Sequence, residues 1–283
     1  MKNSDYTNNN VEAGLVPAFY IHIPFCRKKC NYCDFVSMPI QTGDTQWHSE
    51  AKPKNLTDYT DRYLKTLVNE FSLRFPLPVS HFPLTIYIGG GTPSILSEKQ
   101  IEFLFNGLFF YLPKLENNEL EFSCEANPES ITEQKLRILK NFGVNRLSIG
   151  LQSLDDKILN FLGRVHTLKD FSRCYESARK IGFENINIDL IFGIPGQTIE
   201  NWSSTLKSVV RLNPEHISIY SLTIEKGTRF FENGLQKDDD IDADMYEFAI
   251  DYLEKNGYHH YEISNFSKPG FECKHNINYW KNG

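Results

Sequence analysis

The sequence has 283 residues, of which 40% are hydrophobic and 23% are charged, so the chain is long and apolar enough to bury a core and is neither disordered nor fibrous. Its 30 Lys and Arg residues stand against 36 Asp and Glu residues, and the formal net charge of −6 disfavours nucleic-acid partners held mainly through phosphates. The Asn-rich start has no signal-peptide pattern and no apolar run approaches the ~20 residues of a membrane span, which predicts a soluble, cytoplasmic protein without an integral membrane segment.

Two kinds of hydrophobic pattern alternate along the chain. Short runs rich in β-branched and aromatic residues predict strands at 18–23, 84–88, 119–124, 145–149, 185–191 and 216–222. Helical spacing predicts helices at 58–75, 97–111, 132–141, 155–162, 169–181 and 198–211. Because parallel strands need a crossover that is usually a helix, this alternation predicts a parallel sheet. The fold class is therefore α/β, either a partial (β/α)6 TIM-like barrel or a doubly wound open sheet, and periodicity alone does not separate the two.

Two parts of the chain interrupt this alternation. Residues 38–57 are polar and without pattern, and we interpret them as an inserted loop. Near the C-terminus, the patterns predict a helix at 243–256 and a strand at 258–264. The predicted organisation is a flexible N-terminus at 1–16, a partial barrel at 17–230 and, at 231–283, a linker, a helix and the beginning of a C-terminal region that looks truncated.

Three of the six cysteines lie close together, directly after the first predicted strand, as Cys26-x3-Cys30-x2-Cys33. In a chain without a leader, such a trio is typical of a metal or cluster site and not of a disulfide framework. Three thiolates on one loop can ligate three irons of a [4Fe-4S] cluster and leave the fourth iron open to another ligand. The alternative is a zinc site in which His22 completes a Cys3His set, although zinc loops favour two cysteine pairs separated by a longer spacer.

Polar or small residues follow the other predicted strands. The run from Gly89 to Thr92 follows the second strand, Glu125 the third and Gln152 the fourth, and Asp189 lies within the fifth. Asp189 interrupts an apolar strand, where an unpaired charge is costly, so a functional partner is expected there. Functional residues of (β/α) barrels gather at the carboxyl ends of the strands, an end that we call the mouth. We therefore expect these residues to meet the cysteines at the mouth.

The cysteine spacing, with Tyr32 before the third cysteine, is similar to the signature of the radical S-adenosylmethionine (SAM) superfamily. The wider context, from Tyr20 through Phe35, resembles the coproporphyrinogen III oxidase-like HemN/HemW family. Further blocks that carry the resemblance lie at 88–96, 125–130, 143–153, 162–166, 188–198, 217–228, 261–270 and 275–280. The resemblance implies a radical SAM partial barrel, a [4Fe-4S] cluster on the three cysteines, and reductive cleavage of SAM to methionine and a 5′-deoxyadenosyl radical.

The resemblance also implies which residues contact SAM. These positions are Tyr20, Tyr32, Gly90, Gly91, Thr92, Glu125, Gln152, Arg164 and Asp189. The set suits the ligand, because a zwitterionic sulfonium compound needs a cation for its carboxylate and acceptors for its amino group and ribose hydroxyls. Arg164 suits the carboxylate, and Glu125, Gln152 and Asp189 suit the other polar groups of the ligand.

Two features distinguish the branches of the resembled family. Its oxidase branch carries a fourth cysteine two positions after the third, where this chain has Phe35. The HNxxYW motif at 275–280 matches the other branch, whose members bind haem and deliver it, and it implies His275 as a haem-binding residue. An imidazole can serve as an axial haem ligand, and the nearby thiol of Cys273 is a competing candidate.

Three functions therefore remain open at the level of sequence. The first, which we favour, is a radical SAM haem chaperone with haem or another porphyrin as cargo, and with a haem-accepting protein and an electron donor as partners. The second is an oxygen-independent coproporphyrinogen III oxidase of porphyrin biosynthesis. The third is a radical SAM reaction on a different substrate.

Overall fold

The computed structural model describes residues 18–40, 56–74, 85–110 and 120–282. The predicted flexible segment at 1–16 and residues 41–55 of the predicted inserted loop lie outside these ranges. The strands are β1 (Ala18–Ile23), β2 (Phe25–Cys26), β3 (Met38–Pro39), β4 (Thr85–Gly90), β5 (Glu121–Ala126), β6 (Arg146–Gln152), β7 (Asn185–Phe192), β8 (His216–Ser221), β9 (His259–Glu262) and β10 (Asn265–Ser267). The helices are α1 (Leu56–Arg74), α2 (Glu98–Phe109), α3 (Glu133–Asn141), α4 (Asp156–Phe161), α5 (Leu168–Ile181), α6 (Ile199–Leu212), α7 (Arg229–Glu232), α8 (Asp239–Lys255) and α9 (Lys274–Asn282).

The six predicted strands form one parallel sheet in the order of the chain: β1, β4, β5, β6, β7 and β8. A doubly wound sheet reverses its strand order at a switch point. Here each new strand is added on the same side of the sheet, which is the order of an opened barrel. The structure therefore confirms the partial-barrel fold class.

The two faces of this sheet differ in chemistry. On one face, aliphatic residues such as Ile86, Ile88 and Leu147 are buried in the core against the helices. The residues between them form what we call the polar face, which includes Tyr87, Glu121, Ser123, Glu125, Arg146, Ser148, Asn187, Asp189, His216 and Ser218. Hydrogen bonds join these side chains across strands; Ser148 Oγ, for example, donates to Asp189 Oδ2 at 3.0 Å. The polar face is thus the part of the sheet able to bind a polar ligand.

Capping residues fix where the helices begin after the strands. Ser97, Thr132 and Thr198 each accept a backbone hydrogen bond at the first turn of α2, α3 and α6. In α2 the cap is reciprocal, because Gln100 Oε1 accepts from the Ser97 N–H at 2.9 Å. A cap of this kind contributes about 1 kcal/mol to helix stability. Within the described ranges, none of the helices combines the length and hydropathy that a bilayer crossing requires.

The chain after β8 returns to the same sheet. Helix α8 packs against α6, where Trp202 Nε1 donates to Met245 O at 2.8 Å. Strand β10 pairs antiparallel with β8, and β9 pairs with β10, so the single strand predicted at 258–264 is replaced by a hairpin of two short strands. The polar, aromatic tail forms α9, a helix that the sequence patterns did not predict. The sheet runs across residue 230, and the domain division proposed there stays a prediction.

Candidate functional site

The cysteine loop, residues 24–40 directly after β1, carries the three clustered cysteines. Strands β2 and β3 pair in parallel, and Ile40 N donates to Cys26 O at 2.7 Å, so the two ends of this loop are tied together. In the middle of the loop, Asn31 N donates to Leu162 O at 2.9 Å, and Asn31 O accepts from Phe230 N at 3.0 Å. The cysteine loop is therefore held at both ends and at its centre.

The three clustered thiols are free and half-buried, and two of them face strong hydrogen-bond donors. Thr92 Oγ1 donates to Cys26 Sγ at 3.5 Å, and Arg164 Nη1 donates to Cys30 Sγ at 3.8 Å. Donors and a cation beside a sulfur stabilise negative charge on it. These contacts act against the effect of burial and favour the thiolate form that a metal or cluster requires.

The donor set fits an iron–sulfur cluster better than a zinc ion. Burial raises the pKa of Cys26 and of Cys33, so both stay protonated at neutral pH until a bound cation displaces the proton. Among the described residues, no three His, Cys, Asp or Glu side chains are close enough to hold one metal ion. His22 does not supply the fourth zinc ligand, because its Nε2 lies 2.8 Å from Val36 O and its Nδ1 lies 3.3 Å from Tyr20 OH. Three thiols without a further ligand are the set that leaves one iron of a cluster open.

The turn after β4 brings the main chain against the cysteine loop. Gly90 has a φ of +116°, and its N–H donates to Glu125 Oε2 at 3.2 Å. A Cβ atom on Gly91 would lie 2.7 Å from Phe25 O and 2.9 Å from Cys26 Sγ. Only glycine permits this approach of the two segments. Gly91 therefore lies beside Cys26, and Gly90 lies beside Glu125.

Two carboxyl groups lie close together on the polar face. Glu125 Oε1 accepts from Tyr87 OH at 2.9 Å, and Asp189 accepts from Ser148 Oγ at 3.0 Å and from Asn187 Nδ2 at 2.8 Å. Removal of the Glu125 carboxyl from bulk water, and then its proximity to Asp189, raises its pKa to about 7. Burial likewise raises the pKa of Asp189. A ligand that carries an ammonium or sulfonium charge would relieve this repulsion, so the pair suits a cationic group.

Gln152 and Arg164 lie near the end of β6, beside the cysteine loop. Gln152 has a φ of +67° at a shift in the β6–β7 register, a conformation that is uncommon outside glycine and that concentrates at binding sites. Arg164 Nη2 donates to Asn127 Oδ1 at 2.6 Å and to Gly150 O at 3.3 Å. A guanidinium has five N–H donors, so these bonds and the one to Cys30 leave donors for a ligand carboxylate.

The two predicted tyrosines occupy different positions. Tyr20 is 53% exposed, and its ring stacks on Tyr87 with the centroids 6.1 Å apart. Tyr32 packs against a small apolar cluster that contains Leu162 and Ile191, and burial raises its pKa. Tyr20 is thus accessible to a ligand, whereas Tyr32 anchors the cysteine loop to this apolar cluster.

His275 lies toward the amino ends of the strands, where its ring centroid is 6.3 Å from that of Tyr20. Its Nδ1 is 2.9 Å from Thr85 Oγ1, its ring centroid is 5.0 Å from that of Tyr87, and its backbone N–H donates to Glu121 Oε1 at 3.1 Å. Burial lowers the pKa of His275, so the imidazole is neutral at pH 7 and Nε2 is the nitrogen able to bind iron. The structure brings Gly91, Thr92 and Arg164 against the cysteine loop. Tyr20, also a predicted SAM residue, lies instead beside Tyr87 and His275.

Burial argues against Cys273 as a competing haem ligand. Its side chain is fully buried, and its Sγ donates to Glu121 Oε1 at 3.3 Å. Burial raises the pKa of this thiol to about 12, so it is not a thiolate at neutral pH.

Sequence reasoning missed two residues that join the predicted ones. Tyr87 contacts Glu125 on one side and His275 on the other, and Asn127 contacts both Thr92 and Arg164. Tyr87 is an ordinary aromatic strand residue in the sequence. Asn127 follows β5 by one position, so the rule that functional residues gather at carboxyl strand ends could have found it.

The class of this protein follows from its opened parallel barrel and from the three cysteines, the glycine turn and the two carboxyl groups near the carboxyl ends of the strands. The model of the radical SAM superfamily matches residues 20–209 of this chain. The heme chaperone HemW of Bacillus subtilis is 42% identical over 269 residues, which are 93% of this chain and 66% of that protein. The heme chaperone HemW of Escherichia coli is 37% identical over 267 residues, 94% of this chain and 66% of that protein. The chain thus spans about two thirds of the length of these curated relatives.

Solved structures agree with this class. Coproporphyrinogen III oxidase (HemN) from Escherichia coli, a radical SAM enzyme, matches with a TM-score of 0.76 and 28% identity over 90% of this chain and 56% of that chain. Streptococcus suis SuiB bound to SAM, with a TM-score of 0.54 and 16% identity over 85% of this chain and 48% of that chain, shares the fold. The chain belongs to the radical SAM superfamily and, within it, to the family of the HemW proteins. Membership of the superfamily implies a [4Fe-4S] cluster and SAM as cofactors.

Proposed function

We propose that this chain holds a [4Fe-4S] cluster on Cys26, Cys30 and Cys33, binds SAM beside it, and carries haem as a chaperone that delivers it to a haem-accepting protein. The observation that supports the cofactor part is the meeting of three free thiols with the donors Thr92 and Arg164 at one mouth. The haem part rests on the relatives, which are named heme chaperones.

In this proposal the residues of the mouth bind and orient SAM. Arg164 holds the carboxylate with its remaining N–H donors, while Glu125 and Asp189 accept hydrogen bonds from the amino group and the ribose hydroxyls. The turn at Gly90 lets the ligand approach the main chain. When it is bound, the cluster supplies the electron for reductive cleavage of SAM, and an electron donor protein must replace that electron.

In the same proposal, haem binds at α9, with Nε2 of His275 as an axial ligand. Tyr279 and Trp280 are 74% and 58% exposed on this helix and offer aromatic surface to a porphyrin. Haem then binds toward the amino ends of the strands, and the rings of Tyr20 and Tyr87 lie beside its ligand His275. The free cysteines favour a reducing compartment, so we propose the cytoplasm as the site of action.

A coproporphyrinogen III oxidase is the second candidate, favoured by the structural match to the Escherichia coli enzyme. Against it, the position that carries a fourth cysteine in the resembled oxidase branch is Phe35, which is 65% exposed beside the cysteine loop. An exposed phenyl ring cannot replace a thiol as an iron ligand or proton donor. We therefore favour the chaperone.

An anaerobic haemin titration of the iron-reconstituted protein tests this choice. We expect saturable binding with a Soret shift, and a weakening of at least about tenfold, or 1.4 kcal/mol, in His275→Ala. His259→Ala, which removes an exposed histidine of β9, is the matched control and should bind haemin as the wild type does. No saturable binding, or equal binding by His275→Ala, would overturn the haem proposal. Formation of protoporphyrinogen IX in the presence of SAM would instead establish the oxidase.

A further inference from the structure

A continuous chain of hydrogen bonds links two of the clustered cysteines through one amide. Asn127 Nδ2 donates to Thr92 Oγ1 at 2.9 Å, and Thr92 Oγ1 donates to Cys26 Sγ at 3.5 Å. On the other side, Asn127 Oδ1 accepts from Arg164 Nη2 at 2.6 Å, and Arg164 Nη1 donates to Cys30 Sγ at 3.8 Å. The Asn127 amide therefore bonds both to Thr92, the donor to Cys26, and to Arg164, the donor to Cys30.

The direction of every bond in this chain follows from the chemistry of its members. A guanidinium only donates, so the Asn127 atom beside Arg164 must be the carbonyl oxygen, and the NH2 group must face Thr92. Once Thr92 Oγ1 accepts that bond, its own proton is directed to Cys26 Sγ. Because the guanidinium is planar, fixing Nη2 on Asn127 also fixes the direction of Nη1 toward Cys30. One side chain thus sets the polarity of two thiol contacts.

The surrounding structure holds Asn127 in this orientation. Its backbone N–H donates to Ser94 Oγ at 3.0 Å, and its backbone carbonyl accepts from Ser130 Oγ at 3.1 Å. The two serine hydroxyls lie 2.6 Å apart, which closes a small ring around the peptide. A Cβ atom on Gly150 would lie 2.9 Å from Asn127 Oδ1 and 3.2 Å from Arg164 Nη2, so the glycine leaves room for this pair.

We infer that Asn127 is a positioning residue that sets the reduction potential of the iron–sulfur cluster by orienting Thr92 and Arg164 toward Cys26 and Cys30. This inference rests on the proposed function, because it requires that the cysteines hold the cluster. Hydrogen bonds to the sulfurs of a cluster stabilise the reduced state, which carries more negative charge, and so raise the reduction potential. Loss of the Asn127 side chain frees both donors, and the potential falls.

The test is an EPR-monitored redox titration of the reconstituted protein without SAM. We expect the midpoint potential of Asn127→Ala to fall by an amount equal to about a tenfold change in the reduction equilibrium, or 59 mV for one electron. Thr92→Val removes the donor to Cys26 alone and should lower the potential by a smaller amount. Because Asn127 acts through Thr92, the potential of the double variant should fall by less than the sum of the falls in the two single variants.

Asn145→Ala is the matched control. The amide of Asn145 bonds to Phe122 N at 2.9 Å and Leu120 O at 2.6 Å, at the amino ends of the strands, so its loss should lower stability and leave the potential unchanged. If Asn127→Ala does not fold, Asn127→Asp keeps the size and loses the donor to Thr92, and adding Thr92→Val to it should cause no further fall. An unchanged potential in the Asn127 variants, or additive shifts with Thr92→Val, overturns the inference. A wild-type protein that assembles no cluster would instead refute the proposed function.

Discussion

The two ends of the parallel strands use polar residues in opposite ways. At the amino ends, the Glu121 carboxylate accepts from Cys273 Sγ at 3.3 Å, from Lys274 N at 2.8 Å and from His275 N at 3.1 Å, so the chain itself satisfies the charge and anchors α9. At the mouth, Glu125 lies near a second carboxyl group and its pKa is raised to about 7. The first arrangement stabilises the fold, whereas the second leaves charge and donors that a ligand can satisfy.

Tyr87 contacts residues of both ends, and the ring of Tyr20, a predicted SAM residue, likewise lies 6.3 Å from that of His275. Its hydroxyl donates to Glu125, and its ring lies beside the imidazole of His275. The comparison therefore predicts that variants at the mouth change ligand binding, and that Glu125→Gln also changes the pH dependence of stability. Variants at the amino ends should change stability and haemin binding but not SAM binding.

The largest expected effect is loss of the cluster in Cys26→Ala. Removing one of three thiolate ligands exposes two irons of the cluster, which then does not survive reconstitution. Iron and sulfide content and the visible charge-transfer absorption measure the loss. Cys174→Ala, which removes a buried thiol of α5, should keep the full cluster. A Cys26→Ala protein with wild-type iron content would show that the mouth is not the cluster site.

Glu121→Ala should cause the largest change at the amino ends. It removes the acceptor of three hydrogen bonds at the start of α9, so we expect the free energy of unfolding to fall by roughly 3 kcal/mol. Urea denaturation followed by circular dichroism measures this change. Glu121→Gln keeps an acceptor oxygen, so its free energy of unfolding should fall by less. If Glu121→Gln lost affinity for SAM while it kept wild-type stability, the amino ends would contribute to SAM binding, contrary to the comparison.

Glu125 should make both SAM binding and stability depend on pH. Its pKa of about 7 in the folded protein lies above the ordinary value, so the folded state binds this proton more tightly than the unfolded state does. The resulting stabilisation is complete below the ordinary carboxyl pKa and is lost as the pH rises through about 7. Solvent screens a half-buried group and reduces the free energy that its pKa shift represents. We therefore expect the free energy of unfolding of wild type to fall by roughly 2 kcal/mol relative to that of Glu125→Gln across this range.

The affinity for SAM should change in the opposite sense. The ionised carboxylate binds a cationic ligand, so SAM affinity should rise with pH up to about 7 in wild type and stay flat in Glu125→Gln. Calorimetric titrations and urea denaturation between about pH 5 and 8, made in buffers of equal ionic strength, measure both trends. Parallel pH profiles for the two proteins would show that Glu125 does not bind the cation.

The smallest expected effect is that of Tyr87→Phe. This change removes the hydroxyl that donates to Glu125 and keeps the ring that lies against His275. We expect SAM affinity to fall by about fivefold, or roughly 1 kcal/mol, with haemin affinity unchanged. Equal losses of SAM and haemin affinity would show that the two ends are energetically coupled through Tyr87.

Local sequence patterns are sufficient to predict the alternation of strands and helices and the position of the cysteine loop. These features follow from hydrophobic period, from caps such as Ser97 and Thr198, and from the spacing of Cys26, Cys30 and Cys33. The rule that functional residues lie at carboxyl strand ends also predicts that Glu125 and Gln152 lie near the cysteines.

How these elements pair, and which side chains meet, depends on contacts between residues that are distant in the chain. The choice between an opened barrel and a doubly wound sheet depends on strand order, which hydrophobic period does not encode. The packing of α9 against β4 and the contact of His275 with Thr85 join residues that lie far apart in the chain. The link from Cys26 to Cys30 through Asn127 likewise spans four separate loops, because it arises when parallel strands bring their carboxyl ends to one edge.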